Sequence, residues 1–184
     1  MLEKVQQVGS HFKLSANISV ANLVRENFPD SIAQILNETG ARPSQLYLEI
    51  TESYLFQDED RAHKNILRIR DLGVEVWLDD FGTGFSSLSH LRNLTVEGIK
   101  IDQTFVNSLG EQLPDRAMVS AMIALATAFD IGIIAEGIET REQAEILQTL
   151  GCRMGQGWLF AKALPEQQLV DEISASRNFF QQTA

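Results

Sequence analysis

Short apolar runs of strand length alternate along this chain with longer stretches of helical period. Within 45–51, leucine and isoleucine take every second position and more polar residues the positions between, which is the period of a strand with one buried face. The pattern predicts strands at 13–19, 45–51, 74–79, 98–101 and 131–135, and a further extended piece within 152–160. It predicts helices at about 32–38, 58–72, 86–92, 114–129, 140–150 and 166–176, with a capping box of Thr140 and Gln143 at the start of 140–150. The chain is therefore predicted to be an α/β protein with a mostly parallel sheet.

Two α/β architectures fit this order of elements: an open, doubly wound sheet and a TIM barrel. The polar residues at or near the carboxyl ends of the predicted strands favour the barrel. They are Asn17, Glu49, Asp79, Asp80, Lys100 and Glu136. In a barrel those ends converge on one mouth, where active sites lie, whereas in an open sheet they spread along an edge. A complete barrel takes roughly 250 residues, so a single TIM-barrel-like domain over 1–184 is expected to be incomplete by about two strand–helix units.

The composition narrows the possible function classes. The formal net charge is −10, which disfavours binding to a nucleic-acid polymer or to anionic lipid, because phosphate binding needs Lys and Arg. A small phosphate substrate remains compatible if metal ions neutralise the acidic residues around it. Cys152 is the only cysteine, so it cannot form an intrachain disulfide, and we predict a buried small residue in a cytoplasmic protein. No apolar run approaches the roughly 20 residues that a membrane segment requires.

The residues at the strand ends suggest a metal site of a particular kind. Four of them carry only oxygen ligands: Asn17, Glu49, Asp79 and Asp80. Oxygen ligands suit Mg²⁺, Mn²⁺ or Ca²⁺ better than zinc, and adjacent carboxylates can serve a metal pair of the kind that promotes in-line attack on a phosphodiester. Lys100 and Glu136 could orient the attacking water or take its proton. Any one of these residues could instead be a helix cap or a solvated loop side chain, so the hypothesis rests on their common position at strand ends.

Six ordered segments of the sequence carry a resemblance to a known family. They are 17–19, 48–53, 78–88, 99–102, 135–140 and 155–160. The most diagnostic is 78–88, which reads Leu-Asp-Asp-Phe-Gly-Thr-Gly-Phe-Ser-Ser-Leu, and 48–53 contains a Glu-x-Thr-Glu pattern. In this order and at this spacing, the chain from about 14 to 165 resembles the EAL domain family of cyclic di-GMP phosphodiesterases.

The resemblance implies a TIM barrel that hydrolyses cyclic di-GMP to linear pGpG with Mg²⁺ or Mn²⁺. By motif position, the implied metal ligands are Asn17, Glu49, Asp79 and Asp80. The implied catalytic residues are Lys100 and Glu136, which would position or activate the water, and Gln156, which would lie beside the water and the scissile phosphate. The implied supporting residues are Asp102 and Gln156 as substrate contacts, Glu52 as the anchor of the loop 80–84, and Glu139 behind the site. A dimer contact near 80–91 is also implied.

The sequence departs from the family pattern at its start. The Glu-Ala-Leu triplet belongs on a strand upstream of Asn17, and only sixteen residues precede Asn17 here. We therefore expect the first two strands to be missing, together with a metal-ligand Glu, and hydrolysis to be impaired. Smaller departures are Gln103 where the family usually has Arg, Phe85 for Tyr, and Ala163 for Pro.

Three interpretations of such a chain stay open. The first is an EAL-type phosphodiesterase domain with impaired hydrolysis. The second is a non-enzymatic module that senses cyclic di-GMP or binds a protein partner. The third is a fragment of a normal enzyme. Strand edges left without partners are expected to favour a homo-oligomer.

Overall fold

The computed structural model describes residues 12–51, 59–83, 95–110 and 113–172. Its strands are β1 (Leu14–Ile18), β2 (Leu46–Thr51), β3 (Glu75–Phe81), β4 (Gly98–Ile101), β5 (Gly132–Ala135) and β6 (Met154–Gly155). Its helices are α1 (Val20–Leu23), α2 (Phe28–Thr39), α3 (Glu59–Asp71), α4 (Gln103–Asn107), α5 (Leu113–Ala128) and α6 (Arg141–Leu150). A 3₁₀ turn at Pro43–Gln45 precedes β2, and residues 166–172 are also helical.

The strands form one sheet in which each is parallel to its neighbour and the order is β1-β2-β3-β4-β5-β6. A doubly wound sheet reverses its strand order at a switch point, and this sheet does not. Winding in one direction with helical crossovers is the arrangement of a TIM barrel. The predicted TIM-barrel-like α/β fold, incomplete in the described residues, is therefore confirmed. No helix in the described ranges has the length and apolar character needed to cross a membrane.

The alternation within the strands divides the sheet into two faces. In β2, Leu46, Leu48 and Ile50 are each at most 5% exposed and pack into the hydrophobic core. From α3, Ala62, Ile66 and Ile69 enter the same core and are completely buried. The face that carries Glu49, together with the residues in register with it on the other strands, is called the inner face below. Side chains at the carboxyl end of that face form the candidate site.

Several element boundaries differ from the sequence predictions. The helix predicted at 32–38 begins earlier, at Phe28, since Pro29 is compatible with a first helical turn. The short helices α1 and α4 were not predicted, because one turn is too short to show helical periodicity. The extended piece predicted within 152–160 contains only the two-residue strand β6. The helix predicted at 86–92 lies outside the described residues.

A tryptophan fills the inner face below the site. Trp77 of β3 is 7% exposed, and its ring lies over two glycines, Gly98 of β4 and Gly132 of β5. A Cβ at Gly98 would lie 2.3 Å from Trp77 Cζ3, and one at Gly132 would lie 2.6 Å from Trp77 Cη2. The Tyr47 and Trp77 ring centroids are 5.8 Å apart, which extends this layer to β2. The two glycines thus leave the space that the indole ring occupies.

We expect Gly98→Ala to lower the free energy of unfolding by about 1–3 kcal/mol, because the added methyl group overpacks the Trp77 ring. Chemical denaturation monitored by circular dichroism measures the change. The matched control is the double variant Gly98→Ala/Trp77→Phe, in which the smaller ring makes room for the methyl group. A single variant as stable as the parent chain, or a double variant no better than the single one, would contradict this account.

Candidate active site

The carboxyl ends of β1 to β5 bring the predicted residues to one end of the inner face. Asn17 of β1 is in register with Glu49 of β2, and Thr51, two residues further along β2, is in register with Asp79 of β3. Lys100 lies in β4, and Glu136 directly follows β5. The strand-end positions seen in the sequence therefore do converge on one cluster.

A β-bulge explains how two adjacent aspartates reach the same place. Leu78 pairs with Ile99 and Phe81 with Ile101, so Asp79 and Asp80 together lie opposite the single residue between them, Lys100. Asp80 has a φ of 55°, a left-handed conformation uncommon for residues other than glycine. Bulges of this kind redirect side chains and are frequent beside active sites. The bulge thus presents two carboxylates where a regular strand would present one.

Lys100 is the centre of the cluster. Its side chain is 3% exposed, and its Nζ lies 2.9 Å from Glu49 Oε2 and 3.3 Å from Asp79 Oδ1. It also forms an ion pair with Glu136 Oε1. Burial opposes its charge, but the hydrogen bonds and charges of Glu136 and Glu49 outweigh burial and raise the pKa of Lys100 above its ordinary value. The ammonium group is therefore charged and held among three carboxylates.

Glu136 lies in an environment that favours its protonated form. Burial is the largest cause that raises its pKa, and the charges of Asp79 and Glu49 add to it, while Lys100 acts in the opposite direction. Gln156 Nε2 donates a hydrogen bond to Glu136 Oε1 at 2.7 Å. The raised pKa makes Glu136 a stronger base than an exposed glutamate, and Gln156 fixes its orientation.

Asp80 and Asp102 form an acidic pair on the β4 side of the cluster. Burial raises the pKa of Asp80, and the charges of Asp79 and Asp102 raise it further. Asp102 is 8% exposed and caps α4, since its Oδ1 accepts hydrogen bonds from the Thr104 amide at 2.9 Å and from the Thr104 hydroxyl. This capping role of Asp102 was not predicted from the sequence.

The oxygen atoms of the cluster fit a divalent cation. One carboxylate oxygen from each of Asp79, Asp80 and Glu136 lies within 4.8 Å of the others. Glu49 Oε1 is buried and, among the described residues, has no hydrogen-bond partner. The Asn17 amide faces Glu49 Oε2 at 3.2 Å and Asp79 Oδ2 at 3.3 Å with its own oxygen toward them. Exchange of the amide O and N would give hydrogen bonds there, and a cation among the oxygens would also remove the repulsion. The donor set is the oxygen-rich one that Mg²⁺, Mn²⁺ and Ca²⁺ prefer.

The structure places the remaining predicted residues less centrally. Glu139 is exposed, and its backbone amide donates to Gln143 Oε1 at 2.8 Å, beside the capping box of α6. Glu52 and most of the loop and helix predicted to form a dimer contact lie outside the described residues.

The loop after β6 passes close to the chain after β5. A Cβ at Gly157 would lie 2.2 Å from the Ile138 carbonyl oxygen, so only glycine fits there without a shift of the backbone. Gly157 therefore allows the approach that brings Gln156 to Glu136.

The parallel sheet winds in one direction, as in a barrel-type α/β domain. At its strand ends, acidic residues around Lys100 form a polar site. The sequence profile of the EAL domain matches residues 1–163. The chain belongs to the EAL domain family.

Named relatives and solved structures support this assignment. The chain is 36% identical over 173 residues to the cyclic di-GMP phosphodiesterase RocR of Pseudomonas aeruginosa, covering 94% of this chain and 44% of RocR. The structure of the PaMucR phosphodiesterase in complex with c-di-GMP matches with a TM-score of 0.84 at 36% identity, covering 90% of this chain and 68% of that one. The Klebsiella pneumoniae BlrP1 manganese/cy-diGMP complex matches with a TM-score of 0.80 at 29% identity, covering 88% and 42%. The chain thus spans less than half the length of RocR. It is also 36% identical to the bifunctional MucR of Pseudomonas aeruginosa and spans 24% of its length.

Proposed function

We propose that this chain binds divalent metal ions and cyclic di-GMP at the carboxyl ends of its strands and hydrolyses one phosphodiester bond to give linear pGpG. The observation that carries the proposal is the cluster in which buried Lys100 contacts Glu49, Asp79 and Glu136. RocR, a cyclic di-GMP phosphodiesterase by name, and the c-di-GMP complex of MucR support the substrate. The chain is strongly acidic, so metal ions are needed to bring an anionic substrate to this site.

The cations would be held by Asn17, Glu49, Asp79 and Asp80, with Glu136 within reach. Mg²⁺ and Mn²⁺ are the proposed ions, and the manganese complex of BlrP1 supports manganese. When bound, such ions lower the pKa of a coordinated water and neutralise charge on phosphate oxygens. A cation there would give a partner to Glu49 Oε1, which has none among the described residues, and would relieve the repulsion of the Asn17 oxygen by the carboxylates that it faces.

The protein residues then have separate tasks in the reaction. Glu136, whose raised pKa makes it the stronger base, accepts the proton of the attacking water. Gln156 keeps the Glu136 carboxylate in position through its hydrogen bond. Lys100 remains charged at neutral pH and stabilises the negative charge that develops on the phosphate. Asp102 positions α4 beside Asp80 and is proposed to contact the substrate.

We also propose a cytoplasmic location, a homo-oligomeric state and a supporting role for two further glutamates. A cytoplasmic location is consistent with a cytoplasmic nucleotide messenger as substrate. A homo-oligomer agrees with a described sheet in which β1 pairs only with β2 and β6 only with β5. A supporting role for Glu52 and Glu139 follows from their motif positions alone.

Turnover of cyclic di-GMP by the 184-residue chain tests the proposal. We expect pGpG to form with Mn²⁺ or Mg²⁺ and to stop forming when EDTA removes the ions, as measured by chromatography of the nucleotides. Calorimetric titration with cyclic di-GMP in Ca²⁺ measures binding separately. Binding without turnover would favour the alternative function, a module that senses cyclic di-GMP. The absence of both binding and turnover would contradict the nucleotide assignment.

A further inference from the structure

A buried asparagine on α3 bonds to a distant part of the chain. Asn65 is 2% exposed and shares its face of α3 with the completely buried Ile66 and Ile69. Its Nδ2 donates hydrogen bonds to the carbonyl oxygens of Leu23 at 2.6 Å and Arg25 at 2.8 Å. These acceptors precede Asn65 by 42 and 40 residues. This buried polar side chain therefore joins α3 to the segment around Leu23 and Arg25.

The Leu23 carbonyl lies at the end of the one-turn helix α1, and Arg25 follows two residues later. The last carbonyl groups of a helix have no partner within it, and the Leu23 side chain is 1% exposed, so this helix end is turned toward the core. A buried carbonyl left without a partner costs about 1–3 kcal/mol. For the Leu23 carbonyl, Asn65 therefore supplies from another helix the partner that α1 cannot provide for itself. The Arg25 carbonyl also accepts from the Phe28 amide at 3.1 Å, so its bond with Asn65 is an additional one.

Arg68, one turn further along α3, extends the same connection. Its Nη1 donates to the Glu26 carbonyl oxygen at 2.9 Å, and its Nη2 lies 2.7 Å from Asp30 Oδ1. The Arg68 side chain is 37% exposed and that of Asp30 is 67% exposed, so solvent screens this ion pair and it contributes less than the bonds of Asn65. Together, the two side chains hold the segment 23–30 against α3.

The segment 23–30 is joined to the strand that carries Asn17 through Ser19 and the one-turn helix α1. β1 ends at Ile18, and Ser19 caps α1, with its carbonyl accepting from the amides of Asn22 and Leu23 at 3.0 Å each. In the described sheet, β1 pairs on one side only, with β2. Its carboxyl end is thus fixed by β2 on that side and, through α1, by α3.

We propose that Asn65 is a positioning residue for the metal site: by tying α1 to α3, it fixes the distance from the Asn17 amide to Glu49 and Asp79. This inference rests on the proposed metal site. The Asn17 amide stands 3.2 Å and 3.3 Å from those two carboxylates, and a shift of its strand end by less than an ångström would remove it from the coordination sphere of a small cation.

The test is a double-mutant cycle on metal affinity in the 184-residue chain, with Mn²⁺ as the titrant in a calorimeter. Asn65→Leu keeps the size of the side chain and removes its donor. We expect it to weaken Mn²⁺ binding about five- to tenfold when Asn17 is present, and less than about twofold in an Asn17→Ala background, because coupled residues give non-additive effects. The loss of stability caused by Asn65→Leu should be the same in both backgrounds.

Ile69→Ala is the matched control, since it destabilises the buried face of the same helix without touching the α1 carbonyls. At a temperature where both variants are folded, it should leave the Mn²⁺ affinity unchanged. If Asn65→Leu does not fold, Arg68→Met takes its place, with a smaller loss of affinity in the same direction. Parent-like affinity in Asn65→Leu, or an equal loss with and without Asn17, would overturn the positioning role alone. A parent chain that binds no Mn²⁺ would overturn the metal site and this inference together.

Discussion

Asp79→Asn is expected to lower the turnover of cyclic di-GMP by at least about 100-fold, or roughly 3 kcal/mol in the activation free energy, without unfolding the chain. Asp79 Oδ2 lies 3.3 Å from the Asn17 amide, and its Oδ1 lies 3.3 Å from Lys100 Nζ. Asp79 therefore contacts both Asn17, another proposed metal ligand, and Lys100. An amide supplies one oxygen and no charge, so bound cations would repel each other more strongly and bind less tightly.

The fold should survive this change because the remaining amide oxygen can accept the bond that supports the bulge. That bond runs from the Asp80 amide to Asp79 Oδ1 at 3.1 Å. Asp71→Asn is the matched control: it removes the same charge from an exposed residue at the end of α3, where the chain leads into the amino-terminal end of β3. Chromatographic assays of pGpG and calorimetric titration with Mn²⁺ provide two measurements. Parent-like turnover and parent-like Mn²⁺ affinity in Asp79→Asn would remove Asp79 from the proposed site.

The sequence predicted the sheet well because its signals are local. The alternation in 45–51 correctly separates the core-facing residues of β2 from Glu49, and the capping box of Thr140 and Gln143 is confirmed at the start of α6. Helices α1 and α4, of four and five residues, were not predicted, since neither is long enough to show a period. Asp102 was accordingly predicted only as a substrate contact, although the structure shows that it also caps α4.

The convergence of the site could be predicted, but its internal contacts could not. The common position of polar residues at strand ends needs only the direction of each strand. The contacts of Lys100 with Glu49, Asp79 and Glu136 depend on the register of four strands and on the bulge in β3, neither of which a single sequence specifies. Asn65 was missed for a related reason. An asparagine within an amphipathic helix resembles a surface residue until its partners, some 40 residues away, are known.

Lys100→Met is expected to lower the free energy of unfolding of the metal-free chain by about 3–5 kcal/mol near neutral pH, because breaking a buried ion pair leaves a charge without compensation. The contacting side chains Glu49, Asp79 and Glu136 are 4%, 13% and 15% exposed. Methionine fills a similar volume but offers no charge, so the carboxylates would repel one another in a poorly solvated site. Denaturation in EDTA measures the loss.

The loss should shrink as the pH falls. Lys100 is the group that acts against the raised pKa of Glu136, so its removal raises the pKa of Glu136 further in the folded state. A carboxyl group with a folded-state pKa above its unfolded value of 4.5 stabilises the fold most below that value, and this stability is lost as the pH rises through the folded-state pKa. The difference between parent and variant is therefore expected to be smaller at about pH 5 than at about pH 8.

Manganese should restore much of what Lys100→Met removes. A cation that binds only the folded state stabilises it, and the gain grows with the logarithm of the free ion concentration divided by the dissociation constant. Without the positively charged Lys100, the site also attracts the cation more strongly. The gain in stability on adding Mn²⁺ should thus be larger in the variant than in the parent.

Lys13→Met is the matched control, since the side chains of its ion pair with Glu75 are 47% and 27% exposed. Loss of this pair should lower the free energy of unfolding by about 1 kcal/mol or less, by the same amount with and without Mn²⁺. A Lys100→Met chain as stable as the parent in EDTA would show that the carboxylates do not depend on this lysine for their charge compensation.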